Sequence, residues 1–142
     1  MRLRVTRLNP SVPLPVYSSP GAAAFDLAAA EDVAIPPGQI RLIGTGLVIK
    51  VPDQHFLAII ARSSTPLKRG LVVANSVGVI DPDYCGPGDE VKIQVLNVTG
   101  ETVAVKHGDR IAQAMVLPAT RVTFEEADAT EPSRGGFGST GT

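Results

Sequence analysis

The sequence predicts an all-β domain built from many short strands. Its 142 residues include 14 glycines and 12 prolines, which interrupt the chain so often that long helices have little room. Aromatic residues make up only 4%, so aliphatic side chains must form the core. Apolar runs between turn residues predict a sandwich, jelly roll or barrel of about ten strands with one short helix.

The first part of the chain contains four strand patterns. Residues 1–8 alternate apolar and basic side chains, which predicts a first strand, and a proline-rich connection follows it. Residues 21–30 predict a strand or a tightly packed coil. Residues 39–51 predict a strand pair or one long bent strand, with a bulge at its two glycines. Residues 55–62 predict a buried strand.

A short helix is predicted after the buried strand. Ser64-Thr65-Pro66 combines an N-cap hydroxyl with a proline at the first position, and both favour a helix start. Gly70 follows closely and is suited to end the helix after about one or two turns. Strand patterns return afterwards. They are predicted at residues 71–74, 101–106, 111–117 and 122–124.

Residues 75–97 predict a hairpin around which the chain is organised. Apolar and polar residues alternate over positions 91–95, as in a strand with one buried face. The turn before this strand contains Asp81 and Asp83, followed by Tyr84. Asp and Pro are ordinary turn residues, so the turn alone favours a structural role. Two carboxylates and a ring at one tip also suit a flat polar ligand.

Composition excludes several classes of partner. The formal net charge of −1 favours neither nucleic acid nor an acidic membrane surface. Cys85 is the single cysteine, so no intrachain disulfide can form and a reducing compartment is expected. The first ten residues lack the apolar segment of a signal peptide, and no stretch reaches membrane-spanning length. We therefore expect a cytoplasmic protein with one domain, residues 1–129, and a flexible tail, residues 130–142.

Two segments carry polar residues that need an explanation. Arg62-Ser63-Ser64 lies between a strand and a helix start, where backbone N–H groups and a guanidinium suit an anion such as phosphate. A surface arginine beside an ordinary helix cap explains the same residues equally well. Asp26 lies in an apolar run, so its carboxylate must be paired, capped or bound near a cation. Gln113 on an apolar strand needs a hydrogen-bond partner.

Other motifs carry less information. His55 and His107 are isolated, so they predict no zinc site. Residues 136–141 match the GxGxxG pattern, but no strand precedes them and no helix can follow, so they do not predict a dinucleotide site. Arg134 and Phe137 in this tail suit phosphate contact and base stacking, respectively.

Five stretches of the chain together resemble the trimeric dUTPase family, in the order of its five motifs. They are AAAFDL at 22–27, ARSSTPLKRG at 61–70, GVIDPDYCG at 78–86, GDRIAQAMV at 108–116 and RGGFGSTG at 134–141. Each stretch alone is weak, whereas five in order over nearly the whole chain are specific. The resemblance implies a jelly-roll-like barrel that assembles as a homotrimer, with active sites shared between subunits. It also implies hydrolysis of dUTP to dUMP and pyrophosphate with Mg²⁺, which keeps uracil out of DNA and supplies dUMP.

The resemblance also implies a role for individual residues. Asp81 is expected to activate the attacking water, and Tyr84 to pack beneath the deoxyribose, where it excludes a 2′-hydroxyl. Asp26 is expected near the water shell of the metal. Three further groups are expected to bind substrate: Asn75, Val79 and Ile80 at the uracil; Arg62, Ser63, Ser64 and Gln113 at the phosphates; and Arg134, Phe137, Gly138 and Ser139 in an arm that closes over the nucleotide.

The chain departs from the family pattern at several positions. Cys85 stands where an arginine is common, two extra residues lie near Pro87-Gly88, and the second and fifth motifs differ from their usual form. The second motif also resembles dCTP deaminases, which makes a deaminase or a bifunctional enzyme the alternative. Gln94 stands about where the deaminase glutamate falls, and an amide cannot replace that acid. A non-catalytic dUTPase-like binding domain is the other alternative.

Overall fold

The computed structural model describes residues 1–136, which form eleven strands and one short helix. The strands are β1 (Arg4–Arg7), β2 (Phe25–Ala28), β3 (Val33–Ile35), β4 (Ile40–Gly44), β5 (Leu47–Lys50), β6 (His55–Ile60), β7 (Leu71–Val73), β8 (Gly78–Ile80), β9 (Lys92–Asn97), β10 (Val103–Val105) and β11 (Arg110–Pro118). The helix α1 spans Ser64–Arg69. The all-β prediction is therefore confirmed. In these residues, no helix is both long enough and apolar enough to cross a bilayer.

The strands form four antiparallel sheets around one core. The largest has the order β2-β11-β6-β8, the second has the order β4-β9-β7, and two further pairs are β1-β5 and β3-β10. Within residues 1–136 these four sheets do not join through strand pairing into one closed sheet, so closure into a barrel is not confirmed. The pattern is that of a jelly-roll-like β fold, in which successive strands change sheets.

Aliphatic side chains form the core, as the scarcity of aromatic residues predicts. Leu27, Ile43, Leu57, Ile93 and Ile111 are at most 1% exposed, and they come from five different strands. Each such side chain contributes about 1.5–3 kcal/mol by leaving water. Because both large sheets supply these residues, the core holds the sheets together.

The central segment does not form the predicted hairpin. β8 pairs with β6, where Val79 lies opposite Ala58, whereas β9 pairs with β4 and β7. The alternation over positions 91–95 is confirmed, since Val91, Ile93 and Val95 are buried. The connection between the two strands is far longer than a tight hairpin loop, so it allows β9 to join the other sheet. There β9 buries its apolar face.

Other expected elements differ in detail. Residues 39–51 form two strands in different ladders, and Gly46 between them has a φ of +66°. The strand β3 was not predicted, because its three residues are too few for a recognisable alternation. The strand predicted at residues 122–124 is wrong: these residues have no regular structure, and Phe124 is 93% exposed.

The short helix is confirmed, but its expected cap is not. Ser63 is the N-cap residue, and no side-chain hydrogen bond caps the helix. Thr65 Oγ1 is buried without a hydrogen-bond partner. Gly70 ends the helix in the left-handed conformation, with a φ of 62°, and its N–H donates to Pro66 O at 3.0 Å.

Asn97 is a fully buried polar residue at the end of β9. Its Nδ2 donates to Ile35 O at 2.8 Å and to Glu101 O at 2.6 Å. Its Oδ1 accepts hydrogen bonds from the backbone and the hydroxyl of Thr99, at 2.8 and 2.7 Å. Both sides of the amide are therefore used, and one side chain ties β9 to β3 and to the turn that follows.

We expect Asn97→Ala to lower the free energy of unfolding by about 2–4 kcal/mol, because the buried carbonyl of Ile35 and the partly buried carbonyl of Glu101 lose their donor. Urea denaturation measures this loss. Gln94→Ala on the exposed face of the same strand is the matched control and should change stability little. Equal losses in the two variants would contradict the role of Asn97.

Candidate functional site

Asp26 and Gln113 lie side by side in the largest sheet. β11 runs between β2 and β6, and Gln113 stands opposite Asp26 on one side and Ile60 on the other. Residues directly opposite each other in a sheet project to the same face. The segment after Ile60 carries Arg62, so pairing of three strands brings these three polar side chains into one region.

Two arginines satisfy the carboxylate of Asp26. Arg62 Nε donates to Oδ1 at 2.7 Å, and Arg110 Nη1 donates to Oδ2 at 3.0 Å. The Asp26 side chain is only 13% exposed, so this pairing compensates the cost of removing its charge from water. Arg62 Nη1 also donates to Arg110 O at 3.2 Å. Of the alternatives expected for Asp26, pairing is the one observed.

Gln113 has the partner that its position requires. Its Nε2 donates to Ala61 O at 3.0 Å, one residue before Arg62. The bond fixes the amide against the end of β6 and steadies the backbone from which Arg62 projects.

A basic cavity of about 410 Å³ lies beside this cluster. Its lining residues come from the segment before the helix, from the helix itself, and from the turn and first residue of β11. They are Arg62, Ser64, Thr65, Lys68, Arg69, Gly108, Asp109 and Arg110. Four cationic side chains face one carboxylate, which suits a polyanionic ligand. Ser63 is exposed at the same helix start but does not line this cavity.

A second cavity, of about 160 Å³, lies between β8 and β9. Asn75, Gly78, Val79 and Ile80 line one side of it, and β9 lines the other. β8 is the last strand of its sheet, so the backbone groups that point away from β6 are available to a ligand. A Cβ on Gly78 would lie 3.2 Å from Ile59 Cβ, so glycine allows the close approach of these strands.

Asp81 directly follows Ile80, the last residue of β8, which lines the second cavity. It is exposed and lines a further cavity of about 650 Å³, together with Asp53, His55, Asp83 and Arg121 among others. Tyr84 is 39% exposed, and its hydroxyl donates to Glu90 O at 3.2 Å. None of these residues lines the basic cavity. Within residues 1–136, the expected uracil residues therefore line one cavity, and Arg62 and Ser64 of the expected phosphate residues line another. Gln113 lines neither of these two cavities.

Comparisons with known proteins establish the family of the chain. A family model described as dUTPase matches residues 11–141. The chain belongs to the dUTPase family. The deoxyuridine 5'-triphosphate nucleotidohydrolase of Nautilia profundicola is 40% identical, with 99% of each chain covered. The enzyme of the same name from Desulfitobacterium hafniense is 43% identical, with 99% of this chain and 95% of that protein covered.

Solved dUTPase structures share the fold. The crystal structure of the Streptococcus mutans dUTPase aligns with a TM-score of 0.78 and 33% identity, and covers 86% of this chain and 98% of that one. The dUTPase of Staphylococcus bacteriophage 80alpha, solved with dUPNHPP, aligns with a TM-score of 0.87 over 99% of each chain at 22% identity. The second likeness concerns the fold alone.

A magnesium ion bound by a dUTPase substrate fits the donor set at Asp26 only indirectly. Among the described residues, no group of three or more His, Cys, Asp or Glu side chains is arranged to hold a metal. Both Asp26 oxygens accept hydrogen bonds from arginines, yet each oxygen has a further lone pair for a metal-bound water. Mg²⁺ commonly keeps several waters and binds through substrate phosphates, so this outer role is chemically consistent.

Sequence reasoning missed three basic residues of the candidate site. Arg110 pairs with Asp26, and Lys68 and Arg69 line the basic cavity. Arg110 stands in the stretch GDRIAQAMV but is not among the predicted site residues. The carboxylate of Asp26 lies in the apolar strand β2 and needs more than one donor, and this is the feature that points to Arg110. Lys68 and Arg69 are recognisable as a basic pair in the last turn of the helix.

The tail is described only in part. Arg134 is exposed, within residues 119–136 that form no helix or strand. The remaining residues expected in the arm, Phe137, Gly138 and Ser139, lie outside the described residues.

Asp109 makes the rim of the basic cavity sensitive to acid. The Lys106 backbone N–H, at 2.8 Å, and the Arg69 guanidinium, at 2.6 Å, hold the pKa of the Asp109 carboxyl below its usual value. A carboxyl with a lowered folded-state pKa stabilises the fold above its unfolded pKa. That stabilisation is lost as the pH falls through the folded-state pKa.

We therefore expect Asp109→Asn to be less stable than the parent at pH 7 and to lose less stability between pH 7 and about pH 3. Urea denaturation at both pH values tests this. Asp128→Asn, in the exposed segment after β11, is the control and should follow the parent at both. An acid-induced loss in Asp109→Asn as large as in the parent would refute the assignment.

Proposed function

We propose that this chain is a dUTP diphosphatase, which converts dUTP and water to dUMP and pyrophosphate in nucleotide metabolism. The observation that carries the proposal is the cleft at the free edge of β8, bounded by Asn75 and followed directly by Asp81 and Tyr84. Full-length relatives named for this activity support it. The single cysteine is consistent with action in a reducing cytoplasm.

Uracil suits the edge of β8. The ring presents one N–H donor between two carbonyl acceptors, and a strand edge presents N–H and C=O groups in alternation. Val79 and Ile80 are successive residues of this strand, so the backbone groups of one of them point away from β6, and the Asn75 amide adds a donor and an acceptor. Cytosine presents an amino donor where uracil has a carbonyl group, so it cannot satisfy the same set. Tyr84 then lies beneath the sugar.

The basic cavity suits the triphosphate. Arg62, Ser64 and Arg110 line it, and Gln113 fixes the backbone beside them. Phosphoryl transfer depends mainly on positioning and charge neutralisation, which guanidinium groups supply. When bound, Mg²⁺ would add further neutralisation of the phosphates, with Asp26 orienting its waters.

Asp81 is the proposed general base. Its carboxylate is exposed at the end of β8 and has room for a water in the adjoining cavity. The carboxylate accepts a proton while the water oxygen bonds to phosphorus. The bond between the α- and β-phosphates breaks, and pyrophosphate leaves with the electron pair.

A homotrimer with shared sites explains why one chain separates these groups. The uracil cleft and Asp81 of one subunit would meet the basic cavity of another. Several large apolar side chains are exposed on this chain and are available to cover one another. They include Ile40 at 52%, Leu42 at 54%, Val98 at 58% and Leu67 at 90%. Residues 130–142, including Arg134, Phe137, Gly138 and Ser139, form the arm proposed to close over the nucleotide.

Neither alternative gains support from the site. Gln94 lines the base cavity and carries an amide, which cannot act as the acid and base of a deaminase. Asp81 lines a cavity with room for a water, as a general base requires, which does not favour a binding domain without activity.

We expect Asp81→Asn to lower kcat for dUTP by about 10²–10⁴, with KM changed little, because the amide keeps the shape but not the proton acceptor. Steady-state release of pyrophosphate measures this. Asp83→Asn, in the same turn and cavity, is the matched control and should keep most of the activity. A parental rate in Asp81→Asn would exclude Asp81 as the base.

Shared sites also predict complementation between two inactive variants. Consider trimers assembled from equal amounts of Asp81→Asn and Arg62→Gln chains. At each site, the subunit that contributes residue 81 carries the intact Asp81 half the time. The subunit that contributes residue 62 carries the intact Arg62 half the time. About a quarter of all sites should then be complete, which is about one site in three among trimers that contain both kinds of chain. Pyrophosphate release by the mixed trimers, isolated with two different affinity tags and sized by sedimentation, tests this. Activity no higher than that of the separate variants would show that the site lies within one chain.

A further inference from the structure

The side chain of Glu90 turns towards the junction between β4 and β5. Its Oε1 accepts a hydrogen bond from Gly46 N–H at 2.7 Å, and Oε2 lies 3.7 Å from Lys92 Nζ. The side chain is 21% exposed. A carboxylate immediately before a strand is usually solvated, so its capture by a backbone N–H indicates a specific contact.

Two glycines form the seat for this carboxylate. A Cβ on Gly44 would overlap Glu90 Oε1, so the absence of a side chain there is what admits Glu90. Gly46 has a φ of +66°, in the left-handed region that favours glycine, and the bond to Glu90 forms at its N–H in this conformation. The seat therefore depends on the local geometry of residues 44–46.

Separate contacts fix the backbone of Glu90. Its N–H donates to Gly88 O at 3.0 Å, and the next residue, Val91, donates to Leu47 O at 2.8 Å. The carbonyl group of Glu90 accepts the hydroxyl of Tyr84 at 3.2 Å. One residue thus links the Tyr84 hydroxyl to the β4–β5 junction, through its carbonyl at one end and its carboxylate at the other.

We propose that Glu90 is a positioning residue that holds the Tyr84 ring and thereby determines the preference for deoxyribose over ribose. Tyr84 is 39% exposed, so neighbouring side chains enclose its ring only partly, and the bond at its hydroxyl limits its tilt. A ring excludes a 2′-hydroxyl by steric contact only while it stays in place. The inference rests on the proposed function, because it assigns Glu90 a role in that same site.

The test compares kcat/KM for dUTP with kcat/KM for UTP. Glu90→Ala should lower the ratio by about threefold to tenfold, the usual worth of one hydrogen bond, mainly because UTP becomes a better substrate relative to dUTP. Glu90→Gln keeps an oxygen for Gly46 N–H and should retain most of the ratio. Glu31→Ala is the matched control, since Glu31 Oε1 accepts Gly44 N–H at 3.0 Å in the same region but does not contact Tyr84. Its ratio should stay at the parental value.

Three further variants separate positioning from general loss of stability. Tyr84→Phe removes the hydroxyl and should lower the ratio by itself. Adding Glu90→Ala to it should then have no further effect on the ratio, because the link is already broken. Gly44→Ala displaces the Glu90 carboxylate without changing Glu90 and should reproduce the Glu90→Ala ratio.

The outcomes distinguish this inference from the function beneath it. If the parent protein does not hydrolyse dUTP, or does not prefer it over UTP, the proposed function fails and the inference falls with it. If the parent protein is selective and Tyr84→Phe lowers the ratio, an unchanged ratio in folded Glu90→Ala and Gly44→Ala overturns the role of Glu90 alone. An equal loss in Glu31→Ala also overturns it, because the effect would then be general to this region.

Discussion

A carboxylate within an apolar strand is the constraint on which the polar half of the molecule depends. Asp26 lies between buried residues of β2, and its charge is stable there because Arg62 and Arg110 both donate to it. These arginines lie far apart in the sequence, one after β6 and the other at the start of β11, so the ion pairs require β2, β6 and β11 to be in register. The same pairing directs the two guanidinium groups to the edge of the basic cavity. The same two ion pairs therefore compensate the charge of Asp26 within the sheet and position the guanidinium groups at the basic cavity.

The change of sheet between β8 and β9 explains the second half of the site. A hairpin would have paired the two strands and used the inner backbone edge of β8. Because β9 instead joins β4 and β7, β8 keeps a free edge that lines the cleft with Asn75. The connection between the strands then carries Asp81, Tyr84 and Glu90, whose hydrogen bonds return it to the β4–β5 junction. A long connection that is tied at both ends can present a carboxylate and an aromatic ring without a tight turn.

Local patterns predicted the elements whose burial is regular. The alternation over positions 91–95, the continuous apolar run of β6 and the glycine at the end of α1 each follow from side-chain period or backbone freedom. Predictions failed where partners decide. The alternation at residues 122–124 meets no strand in the described chain, and the short β3 forms only because β10 pairs with it. A strand needs a neighbour, and the sequence of the strand alone does not name it.

The sequence by itself determined the all-β class, the aliphatic core, the single short helix and the order of motifs that identifies the family. It also determined that Asp26 and Gln113 require polar partners, because burial of an unpaired polar group is costly wherever it occurs. Only the tertiary structure decided which partners they have, that Arg110 is one of them, and that the base cleft and the basic cavity are separate within one chain. These facts depend on strand register between segments far apart in the sequence. Register is set by the packing of the whole core rather than by any one segment.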